Sequence, residues 1–185
     1  MKAEASGRRG KEIQLNPDEL IVSKTDPTGH ITYANRVFMR IAGYAEHELL
    51  GRPHNLIRHA DMPRGVFRLM WKTLQGGGEF FGVVKNTTKH GDYYWVMANV
   101  TPDFDSAGQL QGYYSVRRRP SRQAIDTLSS LYARMLEVEA SAGKARAPDA
   151  SADWLAAHLA GQGLDYETFI LRLLSDTSTA AKTLP

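Results

Sequence analysis

The chain has 185 residues, enough for one domain with a sizeable core plus a helical appendage and too few for two large domains. Its formal charge of +3 is small, and short clusters such as Arg8-Arg9-Lys11 and Arg117-Arg118-Arg119 give little support to nucleic-acid binding. Cysteine is absent, which excludes disulfides, thiolate metal sites, thiol nucleophiles and any cofactor attached through sulfur.

Residues 1–14 are polar, include Gly7 and Gly10 and show no periodicity, so a mobile arm is expected. Residues 20–25 read as a strand, 26–29 as a turn and 30–33 as the hairpin partner. From Asn35 the apolar positions Val37, Phe38, Ile41 and Ala42 recur at helical spacing, Gly43 is a stop signal, and a short turn covers 46–50. Pro63 favours a helix start, and Val66, Phe67, Met70, Trp71 and Leu74 form an apolar stripe that Gly76-Gly77-Gly78 terminates. Residues 80–88 and 93–102 read as paired strands, and 110–117 as a third after the 105–108 turn.

Beyond Pro120, Ile125, Leu128, Leu131, Tyr132, Met135 and Val138 repeat at helical spacing, predicting a helix over 121–140. The Ala-, Gly- and Pro-containing stretch 141–151 reads as a linker, Asp153 as the cap of a helix through Leu159, and 166–174 as a last helix within a 152–185 helical segment. No apolar run of about 18 residues occurs and the first five residues lack the apolar centre of a secretion signal. A soluble cytoplasmic protein with no integral membrane segment is expected.

Four blocks stand out: Tyr33-Ala34-Asn35, Arg58-His59-Ala60-Asp61-Met62-Pro63, Val84-Lys85-Asn86 and Gly91-Asp92-Tyr93-Tyr94-Trp95. Over roughly residues 15–120 they resemble the PAS sensor domain of bacterial aerotaxis receptors, a branch of the PAS superfamily that binds flavin adenine dinucleotide (FAD). The resemblance implies an α+β PAS fold, with a five-stranded antiparallel sheet, short helices on one side and C-terminal helices after it. It also implies a redox or oxygen sensor in signal transduction, with FAD held non-covalently and no enzymatic role. Residues 121–185 are not expected to supply the membrane anchor or the long signalling coiled coil of those receptors. Residues 121–185 are therefore expected to form a homodimer surface or a docking face for a signalling partner, or else to fold back on the sheet.

Under that resemblance, nine residues are the candidate cofactor contacts. Arg58 can grip phosphate oxygens through paired hydrogen bonds, against the alternative of a surface arginine paired with a carboxylate. Asp61 either caps the helix that Pro63 opens or shares its anion-attracting end with a ligand. His54 and His59 can hydrogen-bond a flavin or adenine, ligate iron, or sit in a core. Asn86 offers the donor and acceptor that reading a ring edge requires; Asn35 offers the same or caps a helix.

Phe67, Trp71 and Phe80 are core aromatics or cofactor walls. Phe80 stands where the family typically has tryptophan, and Ala60 where it has proline, departures that leave room for a shifted redox potential. The runner-up cofactor is b-type haem, ligated by His54, His59 or His90. A third reading is a cofactor-free interaction module whose pocket is a filled core.

Overall fold

A computed structural model describes residues 10–180. Strand β1 (Ile21–Thr25) turns back through Asp26, whose carboxylate accepts the backbone N–H groups of Thr28 and His30, into β2 (Ile31–Ala34). Helix α1 (Arg36–Ala42) starts where the Asn35 side chain accepts the Phe38 N–H and stops at Gly43, whose φ of 75° is open to glycine at little cost. The short α2 (Glu46–Leu49) and a single 3-10 turn (His54–Ile57) lead to α3 (Arg64–Gln75). Pro63 precedes that helix and Gly76 ends it, as the pattern predicts.

Strands β3 (Phe80–Thr87), β4 (Tyr93–Phe104) and β5 (Leu110–Arg118) complete a five-stranded antiparallel sheet in the order β2-β1-β5-β4-β3. The last strand in sequence is therefore central, joining β1 (Ser23 opposite Ser115) to β4 (Ala98 opposite Arg117). Because strand side chains alternate, Val84, Asn86, Val96, Ser115 and Arg117 point to one face. Val83 and Trp95 point to the other.

Three helices follow: α4 (Arg122–Ala142), α5 (Ala147–Ala160) and α6 (Tyr166–Ala180). Helix α4 is capped by the Ser121 hydroxyl and lies on the second face, where Tyr132 donates to the Val83 carbonyl (2.7 Å) and stacks on Trp95. Helix α5 packs against both α3 and α4. The apolar interior has two parts. Phe38, Ile41, Leu49, Ile57, Tyr94 and Val96 fill the space between the sheet and the early helices. Val66, Leu74, Val83, Leu128, Met135, Leu155 and Ile170 form a second core that unites α3 and the sheet with α4–α6. The C-terminal helices are thus built into the molecule by the same burial that holds the sheet.

Two expectations need correction. Residues 141–151 are not a linker: α4 runs to Ala142 and α5 begins at Ala147, so only four residues intervene. The glycine and proline there mark helix ends, Gly143 just past α4 at φ 74° and Pro148 in the first turn of α5, where a missing N–H costs nothing. Asp153 accordingly lies inside α5 and caps nothing. Of the expected arm, residues 1–9 lie outside the described residues, but 10–14 are fixed. The Lys11 backbone N–H donates to the Asp92 carboxylate (2.8 Å), Tyr93 accepts the Ile13 N–H and donates its own to the Lys11 carbonyl, and Leu15 is buried. The free backbone at the start of β4 supplies those bonds, a non-local partner invisible to local periodicity.

Candidate functional site

A cavity of about 450 Å³ lies between the first face of the sheet and the layer made by the 3-10 turn and α3. That size is within the ~300–1,000 Å³ typical of small-molecule sites. Its walls are Phe67, Met70 and Trp71 from α3, and Val84, Val96 and Ala98 from the sheet. The apolar stripe of α3 thus serves both the core and the pocket. Its polar lining includes Ser23, His54, Asn55, Arg58, Asn86, Ser115 and Arg117: two arginines and no carboxylate.

Arg117 is 2 % exposed and sits on the central strand, hemmed in by β1 and β4. Its Nη2 donates to the Ser23 hydroxyl, and its guanidinium lies 4.8 Å from the centre of the Phe38 ring. Its Nε and Nη1 have no hydrogen-bond partner among the described residues. Burial pulls its pKa down to about 10, which still leaves it charged at neutral pH.

The Ser23 oxygen lies 3.3 Å from His54 Nε2. An arginine can only donate, so the Ser23 hydroxyl accepts from Arg117, and the same oxygen is within hydrogen-bond distance of Nε2, as acceptor from an Nε2–H ring or donor to an Nδ1–H ring. Burial first, and the Arg117 charge second, pull the His54 pKa down to about 3 and keep the ring neutral. Tyr94, buried beside Asn86 and Arg117, has a hydroxyl with no partner among the described residues, and burial raises its pKa.

At the opposite side of the pocket Arg58 lies 4.4 Å over the Phe67 ring and donates to the Met62 carbonyl (2.9 Å). Its backbone forms an isolated bridge with Asn86, which ties the end of the 3-10 turn to β3. Partial burial lowers its pKa.

Five of the nine sequence-predicted contacts therefore meet in one cavity: His54, Arg58, Phe67, Trp71 and Asn86. Four do not line it. Asn35 spends its side chain on the α1 cap, on the Val22 N–H and on the Leu20 carbonyl. His59 packs edge-on against Tyr93 and accepts the Asp61 N–H. Asp61 pairs with Lys85 (2.6 Å) at the surface, which holds its carboxyl below the usual range. Phe80 is buried against Tyr166 of α6, rings 5.6 Å apart and nearly parallel.

For haem, His54 enters the cavity with Nε2 already engaged, while His59 is turned to Tyr93 and His90 lies beside Gly43. The cavity also departs from the filled core of a cofactor-free module. The residues that sequence reasoning missed are Ser23, Ser115 and above all Arg117. Its signal was present: alternation along β5 from Tyr113 through Ser115 carries Arg117 inward, although it opens a run of three arginines.

Thr28, Trp71 and Tyr113 also border a groove between α3 and α5 that contains Arg68, Lys72, Asp149 and Asp153. Trp71 meets Tyr113 edge-on at 5.2 Å where the two spaces adjoin. Among the described residues, no helix is long and apolar enough to cross a membrane.

Comparison with known proteins agrees with this architecture. The family described as PAS fold matches residues 31–117. The aerotaxis receptor of Escherichia coli K12 is 43% identical over 118 residues, covering 64% of this chain and 23% of that protein. The nitrogen fixation regulatory protein of Klebsiella pneumoniae is 33% identical over 97 residues, covering 52% of this chain and 20% of that one. The chain thus spans less than a quarter of the length of either relative. A solved structure titled "Flavin Analogue Sheds Light on Light-Oxygen-Voltage Domain Mechanism" superposes with a TM-score of 0.53 at 25% identity, covering 60% of this chain and 84% of that one. The five-stranded sheet, the cavity beneath it and the family match together give residues 31–117 the PAS fold, and that segment is similar in sequence to part of the aerotaxis receptor.

Proposed function

We propose that this PAS module binds FAD non-covalently, with the isoalloxazine ring in the 450 Å³ cavity, and reports the redox state of the flavin, and through it oxygen, to a signalling partner without acting as an enzyme. The observation that carries this reading is the cavity itself: aromatic and aliphatic walls for a flat ring, with Asn86 and the arginines as hydrogen-bonding groups for its polar edge. The solved domain studied with a flavin analogue supports the same ligand class. With no cysteine in the chain, such a ligand is retained without a covalent bond to sulfur.

A flavin supplies electron-transfer chemistry when bound; the protein supplies binding, orientation and electrostatics. Phe67, Met70 and Trp71 would hold one side of the ring and Val84, Val96 and Ala98 the other. The groove beyond Trp71 and Tyr113 offers an exit for the rest of a dinucleotide.

The packing favours a relay through α3. That helix touches the cavity through Phe67 and Trp71 and is bonded at its start to α4 and packed on α5. A ligand state that binds two positions of α3 unequally would shift both C-terminal helices.

The absorption spectrum of freshly purified protein tests the ligand, and chromatography of heat-released chromophore separates FAD from FMN. A flavin spectrum with FAD in the supernatant is the expected result. Folded, colourless protein that takes up no added flavin, oxidised or reduced, would end the reading. For the relay, reduction should change hydrogen exchange in α4 and α5; identical exchange in both states overturns it.

A further inference from the structure

We infer that Arg117 is the counter-charge for a negatively charged ligand edge, so that the cavity holds reduced flavin in its anionic form more tightly than the neutral oxidised form. This rests on the flavin reading above.

The position of Arg117 makes it a ligand contact rather than a structural ion-pair member. It enters the cavity from the central strand, so neighbouring strands block a swing of the side chain into water. Its one acceptor is the Ser23 hydroxyl, and Nε and Nη1 are left over. Buried N–H groups are nearly always paired, and a buried cation is normally matched by a carboxylate. No carboxylate lines this cavity, and Phe38 covers part of the guanidinium with a ring face. A ligand that brings acceptor oxygens or nitrogens and negative charge would satisfy both deficits.

An isoalloxazine ring has such an edge. Two electrons and one proton convert the neutral oxidised ring to an anion whose charge lies over N1 and the neighbouring carbonyl. A second proton on N1 would neutralise it. Arg117 facing that edge favours the anion and opposes the second protonation. The other titratable groups around the cavity are His54, already neutral, Tyr94, Tyr113 and Arg58; none of them is a carboxylate. Ser23 and His54 act as positioning residues by fixing the Nη2 side of the guanidinium.

The test compares unmodified protein with Arg117→Met and Arg117→Lys, each loaded with FAD and titrated with dithionite in the presence of a redox dye. Methionine keeps apolar bulk without charge, a replacement that buried cation sites commonly tolerate. Arg117→Met is expected to retain oxidised FAD yet lose about tenfold or more of its preference for the reduced form. For a two-electron couple each tenfold lowers the potential by about 30 mV. Arg117→Lys should recover most of the shift. An unchanged potential in flavin-loaded Arg117→Met overturns the inference and leaves flavin binding standing.

A second measurement needs no variant. At mildly acidic pH, where free reduced flavin is protonated at N1, reduction of the bound flavin should take up one proton per two electrons. Two protons per two electrons overturns the inference. Unmodified protein that binds no flavin removes the ligand reading and this inference together.

Discussion

The Glu139 carboxylate of α4 accepts the backbone N–H of Gly65, in the first turn of α3, at 3.0 Å. The same oxygen accepts the Ser151 hydroxyl of α5 at 2.7 Å, so one side chain ties three helices. A carboxylate at a helix start is favoured by the unpaired N–H groups there and by the helix dipole. Glu139→Ala should destabilise the fold by about 2 kcal/mol, since hydrogen bonds to charged groups contribute ~1.5–3 kcal/mol. Urea unfolding checks the magnitude, and hydrogen exchange should quicken first at the start of α3. Equal protection there in both proteins would show that the carboxylate is not what holds it.

Gly65 lets α3 and α5 approach closely. A Cβ there would lie 2.2 Å from the Ser151 oxygen and 2.7 Å from the Ala152 nitrogen. Gly65→Ala therefore forces the helices apart despite alanine's better helix propensity, at a cost on the order of 1–3 kcal/mol. A lowered urea midpoint is expected; a raised one would mean that α5 yields freely.

Leu155 of α5 is fully buried among residues of α3, the sheet and α4. Leu155→Ala should cost ~2–5 kcal/mol through lost burial and a cavity. If the second core is one cooperative unit with the sheet, tryptophan fluorescence and far-ultraviolet circular dichroism will report a single, earlier transition. Two separated transitions would contradict that unity.

His54 makes stability depend on pH. Its pKa is about 3 when folded and 6.5 as the ordinary value, so the unfolded chain takes the proton first. Stability from its neutral state is fully present above pH 6.5 and declines as pH falls toward about 3, with a slope of up to ~1.4 kcal/mol per pH unit. Urea midpoints measured between about pH 5 and 6.5, above the carboxylate range, should fall with acidity. His54→Gln, which keeps a hydrogen-bonding partner for Ser23, should flatten that slope.

Arg58 lines the cavity and covers the Phe67 ring. Under the flavin reading, Arg58→Ala should reduce FAD affinity by about tenfold or more, the equivalent of one hydrogen bond to a charged group. The ratio of flavin to protein after gel filtration measures it. An unchanged ratio would assign Arg58 to the Met62 carbonyl and the Phe67 face alone.

The strands and early helices were legible because their signals are local: period-two alternation, turns at Asp26 and Gly108, and Asn35 and Gly43 bracketing α1. Half of the site was legible on the same basis. Phe67 and Trp71 share the inward stripe of α3, and Asn86 follows from strand alternation. His59 and Asp61 adjoin Arg58 in sequence, yet the chain leaves the 3-10 turn at Arg58 and carries them to the surface beside Lys85 and Tyr93. Adjacency does not fix direction where backbone geometry changes. Phe80 faces α6 because Tyr166, far along the chain, claims its ring. Arg117 was obscured by Arg118 and Arg119, whose company suggests solvent, while its strand position puts it inside.

The central place of β5 also governs how the molecule can assemble. The pairs β1–β2 and β3–β4 are local hairpins, but within the sheet they are joined only through β5, the last strand in sequence. Without residues 110–118 the sheet would be two hairpins with bare inner edges and an unfinished cavity wall. The cavity wall that carries Arg117 is therefore completed by the last strand of the sheet to be synthesised.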